Sequence, residues 1–155
     1  MADENVIVSD RAKEALRHFC DGYNCAQSVL MAYCDLLGLT PAQASVSAAG
    51  LGGGMGRLRE TCGAFSAAVM VAGSMVKDGG HPDSRVDVYR HVQAMYDRFV
   101  ARMGTISCGR LLGRTREEPR PEKRTKEYYA SRPCTKVILA ACQVIDEEMK
   151  AAEEK

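Results

Sequence analysis

Apolar residues recur along the chain at intervals of three and four, the spacing that lines one face of an α-helix. Ser9 or Asp10 can start a first helix with Ala12, Leu16 and Phe19 on one side. Residues 21–24 read as a turn. Asn24 then caps a second helix whose stripe is Val29, Leu30, Tyr33 and Leu37. Pro41 opens a short third helix through Ala49, and residues 50–56 read as a glycine-rich loop. Thr61 is placed to cap a fourth, small and apolar helix reaching about Val76. After a turn over residues 78–82, a long fifth helix carries Val88, Val92, Met95, Phe99 and Met103 on one side. Ser107 can cap a short helix to about Leu112. A final helix begins near Pro133 and shows Ile138, Cys142, Ile145 and Met149 on one stripe. Residues 6–8 are the one strand-like run, too short to build a sheet. The pattern predicts an all-α fold: a compact bundle of about six helices with a Gly-rich loop, formed by one domain over residues 1–155.

Composition narrows what such a bundle can be. At 155 residues, 46% hydrophobic and 26% charged, the chain has ordinary globular make-up. A domain this long buries roughly 70% of its unfolded surface, so it needs neither disulfides nor a metal simply to fold. Lys plus Arg is 21 and Asp plus Glu is 20. That balance gives no electrostatic case for nucleic acid or an anionic membrane. The N-terminus has no basic region followed by an apolar core, so no signal peptide is expected. The apolar run over residues 61–76 contains glycine and serine and suits a buried helix better than a membrane span. The expected location is cytoplasmic. The residues between Arg110 and Arg132 mix basic side chains with Glu117, Glu118, Glu122 and Glu127, and Pro119 and Pro121 break the stretch. This reads as a solvated connection.

Seven cysteines change the picture. An odd number cannot pair internally in full, and cytosolic thiols are kept reduced. No Cys-x-x-Cys pair occurs, which removes the thioredoxin-type and zinc-ribbon signatures. The cysteines divide by position. Cys25 follows Asn24, Cys62 follows Thr61, Cys108 follows Ser107, and Cys134 follows Pro133 with Ser131 available as a cap. All four fall at predicted helix starts, where free N–H groups and the positive end of the dipole favour a thiolate. Cys20, Cys34 and Cys142 lie on apolar stripes and read as core residues. His18, His81 and His91 have no ligand spacing and read as surface residues, while the methionines fall at core spacing.

The loop from Gly50 to Arg57 is neither a dinucleotide fingerprint nor a P-loop: the third glycine and the Gly-Lys-Ser/Thr ending are both absent. Its glycines permit close backbone approach and positive φ, so successive N–H groups can cradle an anion, a sulfide or a thiolate. Gly52, Gly53, Gly54, Gly56 and Gly63 are the candidate cofactor-contacting positions.

Gly22-Tyr23-Asn24-Cys25-Ala26-Gln27, then Gly52-Gly53-Gly54-Met55-Gly56-Arg57, then Cys62-Gly63-Ala64 resemble the redox-active proteins named for the C_GCAxxG_C_C cysteine pattern. Cys108-Gly109-Arg110-Leu111-Leu112-Gly113 and Cys134 resemble that pattern's last two cysteines. The resemblance runs roughly from Ala12 to Cys142. It departs at Ala67, where the family has glycine. It implies redox activity, carried by the same four cysteines.

Three mechanisms compete. Four thiolates can ligate an iron–sulfur cluster for electron transfer, since the common clusters take four cysteines. Alternatively the cysteines act without metal, as thiols and disulfides that meet across the fold. Structural zinc ranks last, because zinc draws its ligands in closely spaced pairs. The cluster reading leads. The expected partner is an unidentified redox partner, and methionine-rich helices make a homodimer plausible.

Overall fold

The computed structural model describes residues 8–154. Of the strand-like run at residues 6–8, Val6 and Ile7 lie outside the described residues. The fold is all-α, with eight helices among the described residues: α1 (Asp10–Cys20), α2 (Cys25–Tyr33), α3 (Pro41–Ala48), α4 (Gly63–Ala72), α5 (Arg85–Met103), α6 (Cys108–Leu112), α7 (Lys126–Ser131) and α8 (Cys134–Glu153). Six of them are longer than a couple of turns, matching the count expected from periodicity. Among the described residues no strand forms, and Thr61 and Ser107 share an isolated antiparallel bridge. No described helix is long and apolar enough to cross a membrane.

The helix starts are specified locally. The Ser9 hydroxyl accepts from the Ala12 N–H at 3.1 Å. Asn24 and Gln27 form a reciprocal capping box, and Thr40 and Gln43 form another with Pro41 in the first turn of α3. Boundaries shift where backbone geometry overrides side-chain pattern. Helix α2 ends at Tyr33, so Leu37 belongs to a following 3-10 turn rather than to its stripe. Helix α4 ends at Ala72 and passes into a 3-10 turn before Val76.

Helices α2 and α4 form the centre and pack on one another, with α1, α3, α5 and α8 around them. Nearly every residue of α2 from Ala26 to Tyr33 is buried. Helix α4 buries Ala64, Phe65, Ala67, Ala68, Val71 and Ala72. A helix apolar on all sides must sit inside, and its alanines let neighbours approach closely. Ala67, where the family pattern has glycine, is accommodated in this core with no exposed surface.

Polar ties cross the bundle as well. The Tyr33 hydroxyl donates to Asp146 Oδ1 at 2.7 Å and to the Cys142 carbonyl at 3.2 Å, joining α2 to α8. Burial, with Asp146 alongside, pushes the Tyr33 hydroxyl far above its usual range. Between α5 and α8, His91 Nδ1 lies 2.7 Å from Glu148 Oε1, and Arg98 reaches the other carboxylate oxygen at 3.1 Å. His91 is therefore buried, not a surface residue: the inward face of α5 runs through it, and Glu148 supplies the partner that burial requires. Cys20 departs in the opposite sense. The buried face of α1 is Ala12, Ala15 and Phe19, which turns Cys20 to solvent. Cys34 and Cys142 are buried, as their stripes predict.

Candidate functional site

The starts of α2, α4, α6 and α8 converge at one end of the bundle, and Cys25, Cys62, Cys108 and Cys134 line a single cavity there of about 280 Å³. Cys25, Cys108 and Cys134 are each the first residue of their helix. Cys62 sits one position earlier, as the N-cap of α4. Thr61 is consequently not a cap; it is taken up in the bridge with Ser107. Ser131 does not cap α8 either, because it ends α7, and Pro133 occupies the cap position.

Two backbone segments hold Cys62 and Cys108 side by side. The Cys62 N–H donates to the Ile106 carbonyl at 2.6 Å, and the Cys108 N–H donates to the Glu60 carbonyl at 2.7 Å. Gly109 continues the pairing with a 3.0 Å bond to the Arg59 carbonyl. A Cβ at Gly109 would stand 2.7 Å from the Arg114 carbonyl oxygen, so the second Cys-Gly step is as constrained as the first. Gly109 belongs to the Cys108 motif of the resemblance but was not among the glycines singled out from sequence, although the repeat of Cys62-Gly63 was its signal.

Gly52, Gly53 and Gly56 of the glycine loop line the cavity, as does Gly63. Gly53 and Gly54 adopt left-handed φ of 68° and 67°. The backbone N–H groups of Gly53, Ala26 and Ala64 work to lower the Cys25 thiol, against the larger effect of burial. At Gly54 a Cβ would lie 2.6 Å from Cys108 Cβ, and at Gly63 one would lie 2.8 Å from Cys25 Sγ. Only glycine lets the backbone approach the cysteines this closely. Gly52 packs on the Asn24 side chain, and Gly56 closes the turn. Three non-glycine residues of the same segment, Met55, Arg57 and Arg59, also have positive φ, between 62° and 67°. Such strain costs about 1–3 kcal/mol per residue and concentrates at functional sites.

The expectation that helix starts favour the thiolates is only half met. N–H groups do act on Cys25 and Cys62, but burial outweighs them and raises both thiols. Neighbouring sulfurs add to the effect, Cys108 on Cys25 and Cys25 on Cys62. Cys134 is pushed up to about 11, first by burial and then by Cys25, with Arg132 opposing. Helix position supplies donors, but burial and neighbouring sulfurs together disfavour several thiolates in one cavity without a compensating positive charge.

Part of that charge arrives from a segment read as solvated, whose Arg132 and Arg124 oppose the rise of the Cys134 thiol. Residues 114–125 form a strap over the cavity, and α7 follows where a connection was expected. The Glu117 N–H donates to the Arg57 carbonyl at 3.1 Å, and Arg57 Nε donates to the Glu118 carbonyl at 2.8 Å. Arg59 pairs with Glu117, and Arg132 pairs with Glu122 at 2.6 Å. Arg124 lies 4.4 Å over the Phe19 ring and donates to the Tyr23 carbonyl at 2.8 Å. The stretch is mostly solvent-exposed, as its alternating charges suggested, and Glu117 and Glu122 serve in addition as its clamps. Arg59 and Arg132 are buried by it. None of Arg59, Arg124, Arg132 or Phe19 was identified from sequence, because their roles depend on tertiary partners.

Among the described residues, no three cysteine, histidine or carboxylate side chains come close enough together to hold one metal ion. The four cysteines are all part of the cavity's lining. A single zinc ion needs its donors about 2.3 Å from one centre. A polynuclear group spreads its ligands around a larger body. All-sulfur donors, backbone N–H groups acting on sulfur and a lining with Phe19, Leu111 and Val137 fit a group of the second kind.

A family model described as "Putative redox-active protein (C_GCAxxG_C_C)" matches residues 23–148. No curated protein and no solved structure matches the chain.

Proposed function

We propose, from the premise that this chain belongs to the C_GCAxxG_C_C family of redox-active proteins, that Cys25, Cys62, Cys108 and Cys134 hold an iron–sulfur cluster and that the protein carries electrons. The observation behind this reading is the convergence of these four cysteines, from four separate helix starts, on one cavity. When bound, the cluster would supply one-electron transfer without a bound substrate. The chain's own residues do the rest. The backbone N–H groups of Gly53, Ala26 and Ala64 act on Cys25, which stabilises negative charge on its sulfur. Phe65 and Ala64 do the same for Cys62. The strap and its arginine clamps exclude water and bring positive charge to the rim. The raised thiols must lose their protons to act as ligands, so metal uptake releases protons and strengthens as pH rises.

Reconstitution with iron and sulfide under anaerobic conditions tests this reading. Wild-type protein should retain iron and sulfide in equal amounts after desalting. Single serine replacements at Cys25, Cys62, Cys108 or Cys134 should each lose most of that iron while keeping the helical circular dichroism. Retention of wild-type iron by all four variants would refute the ligand set.

The sharing of one cavity by the four cysteines also supports a second reading, thiol–disulfide exchange. In it two of the four cysteines form a reversible disulfide across the cavity. Peptide mapping of oxidised, metal-free protein separates the two: a single dominant pair supports exchange, and scrambled pairs do not.

A further inference from the structure

Among the described residues, Cys108 alone of the four has a cationic side chain within hydrogen-bond reach of its sulfur, with Arg59 Nη1 3.6 Å from Sγ. Arg59 is only 8% exposed. Its Nε donates to Glu117 Oε2 at 3.0 Å, and its Nη2 bonds the same oxygen. Its backbone is tied at both ends: the N–H donates to the Gly53 carbonyl at 3.2 Å, and the carbonyl accepts from the Gly109 N–H at 3.0 Å. Its φ is 62°, a conformation that a non-glycine residue keeps only where its surroundings impose it. Arg59 also lines both the cysteine cavity and the open cleft on the strap's outer side, where Arg110, Arg114 and Arg116 gather. It is therefore a wall between Cys108 and that outer surface. A guanidinium so fixed cannot swing away when the charge beside it changes.

Resting on the reading of these cysteines as a redox site, we propose that Arg59 is a positioning residue that raises the site's reduction potential by holding a fixed positive charge, braced by Glu117, against the sulfur of Cys108. One electron passes from an external one-electron reductant to the site and adds one unit of negative charge. No bond to Arg59 forms or breaks, and Arg59 keeps its proton. Hydrogen bonds to ligand sulfur and local net charge are the levers by which a protein sets such a potential. A cation beside the sulfur favours the more negative, reduced state. The competing role for Arg59 is purely mechanical, a rivet between the glycine loop and the strap. A rivet would change stability and leave the potential alone.

The test uses full-length protein reconstituted with iron and sulfide, titrated anaerobically with dithionite and followed in the visible spectrum. Arg59→Met should lower the potential by at least a tenfold change in the one-electron equilibrium, about 59 mV. Arg59→Lys, which keeps the charge, should recover most of that change. Glu117→Gln removes a negative charge and should move the potential upward. Opposite shifts for Arg59→Met and Glu117→Gln cannot come from general loosening. An unchanged potential in Arg59→Met, or shifts of the same sign in both, would overturn the proposal. If Arg59→Met fails to fold, the upward shift in Glu117→Gln decides, and its absence counts against the proposal. If wild-type protein takes up no iron, it is the cluster reading that fails. The role of Arg59 is then read in the thiol–disulfide equilibrium against dithiothreitol. There dithiothreitol supplies two electrons, and the sulfur released beside Arg59 leaves as an anion that the guanidinium holds, so Arg59→Met should move the equilibrium at least tenfold toward the disulfide, and an unchanged equilibrium would overturn the proposal.

Discussion

A thiol at a helix start meets two opposing effects, and in this fold burial is the larger. The sequence places Cys25, Cys62, Cys108 and Cys134 at helix starts because asparagine, threonine, serine and proline precede them, and the structure keeps them there within one position. What the sequence does not show is how strongly burial acts in the shared cavity, so the raised thiols came from tertiary structure alone. The remaining cysteines illustrate the same boundary. Periodicity found Cys34 and Cys142 in the core, but it misplaced Cys20, whose helix turns its neighbour Phe19 inward instead. The two kinds should respond differently to serine. Cys142 is fully buried, and Cys142→Ser should cost about 1–3 kcal/mol in urea unfolding. Cys20 is exposed, and Cys20→Ser should change stability by less than about 0.5 kcal/mol. Both variants should retain iron at the wild-type level.

At the scale of elements, capping residues made the helices legible and the strap illegible. Ser9, Asn24, Thr40 and Ser107 accept from the first turns of their helices, so local chemistry alone placed those starts. The strap has no periodicity, and its order comes from Arg57 and Arg59 reaching Glu117 far along the chain and from Arg132 reaching back to Glu122. Glu122 reports on that order. Arg132 and then Arg114 hold its carboxyl down to about 2, below its usual value of 4.5. A carboxyl with a depressed folded value adds stability above its unfolded value and loses it as pH falls through the folded one. The strap should therefore stay closed at neutral pH and loosen progressively between about pH 4.5 and 2. Hydrogen exchange over residues 114–125 should rise across that window ahead of α2 and α4. Simultaneous exchange of strap and core would show that the strap has no separate stability. Between α2 and α8, Tyr33→Phe removes the donor to Asp146 and to the Cys142 carbonyl. It should lower unfolding stability by about 1–3 kcal/mol while leaving the cysteine site intact.

At the scale of the molecule, the helical bundle is an ordinary solution for a chain this rich in alanine and apolar stripes, and the cysteine cavity is what distinguishes it. Helices α2 and α4 give the core its rigidity, and their starts bring Cys25 and Cys62 to one end. Helices α6 and α8 bring Cys108 and Cys134 from later in the chain. The glycine loop fills the space between them with backbone, because side chains at Gly54 and Gly63 would strike the cysteines. The ordered cysteine and glycine motifs carried this grouping in the sequence. The distances between the groups, and the arginines that balance their charge, are set by packing that no local pattern records. The account stands on whether this cavity assembles a polynuclear sulfur-ligated group. The most direct measurement is the visible absorption spectrum of protein purified and reconstituted anaerobically, with iron and sulfide assayed in the same sample. Broad sulfide-to-iron charge-transfer bands that bleach with dithionite, with iron and sulfide in equal amounts, are the predicted result. A colourless protein that retains neither iron nor sulfide would contradict it.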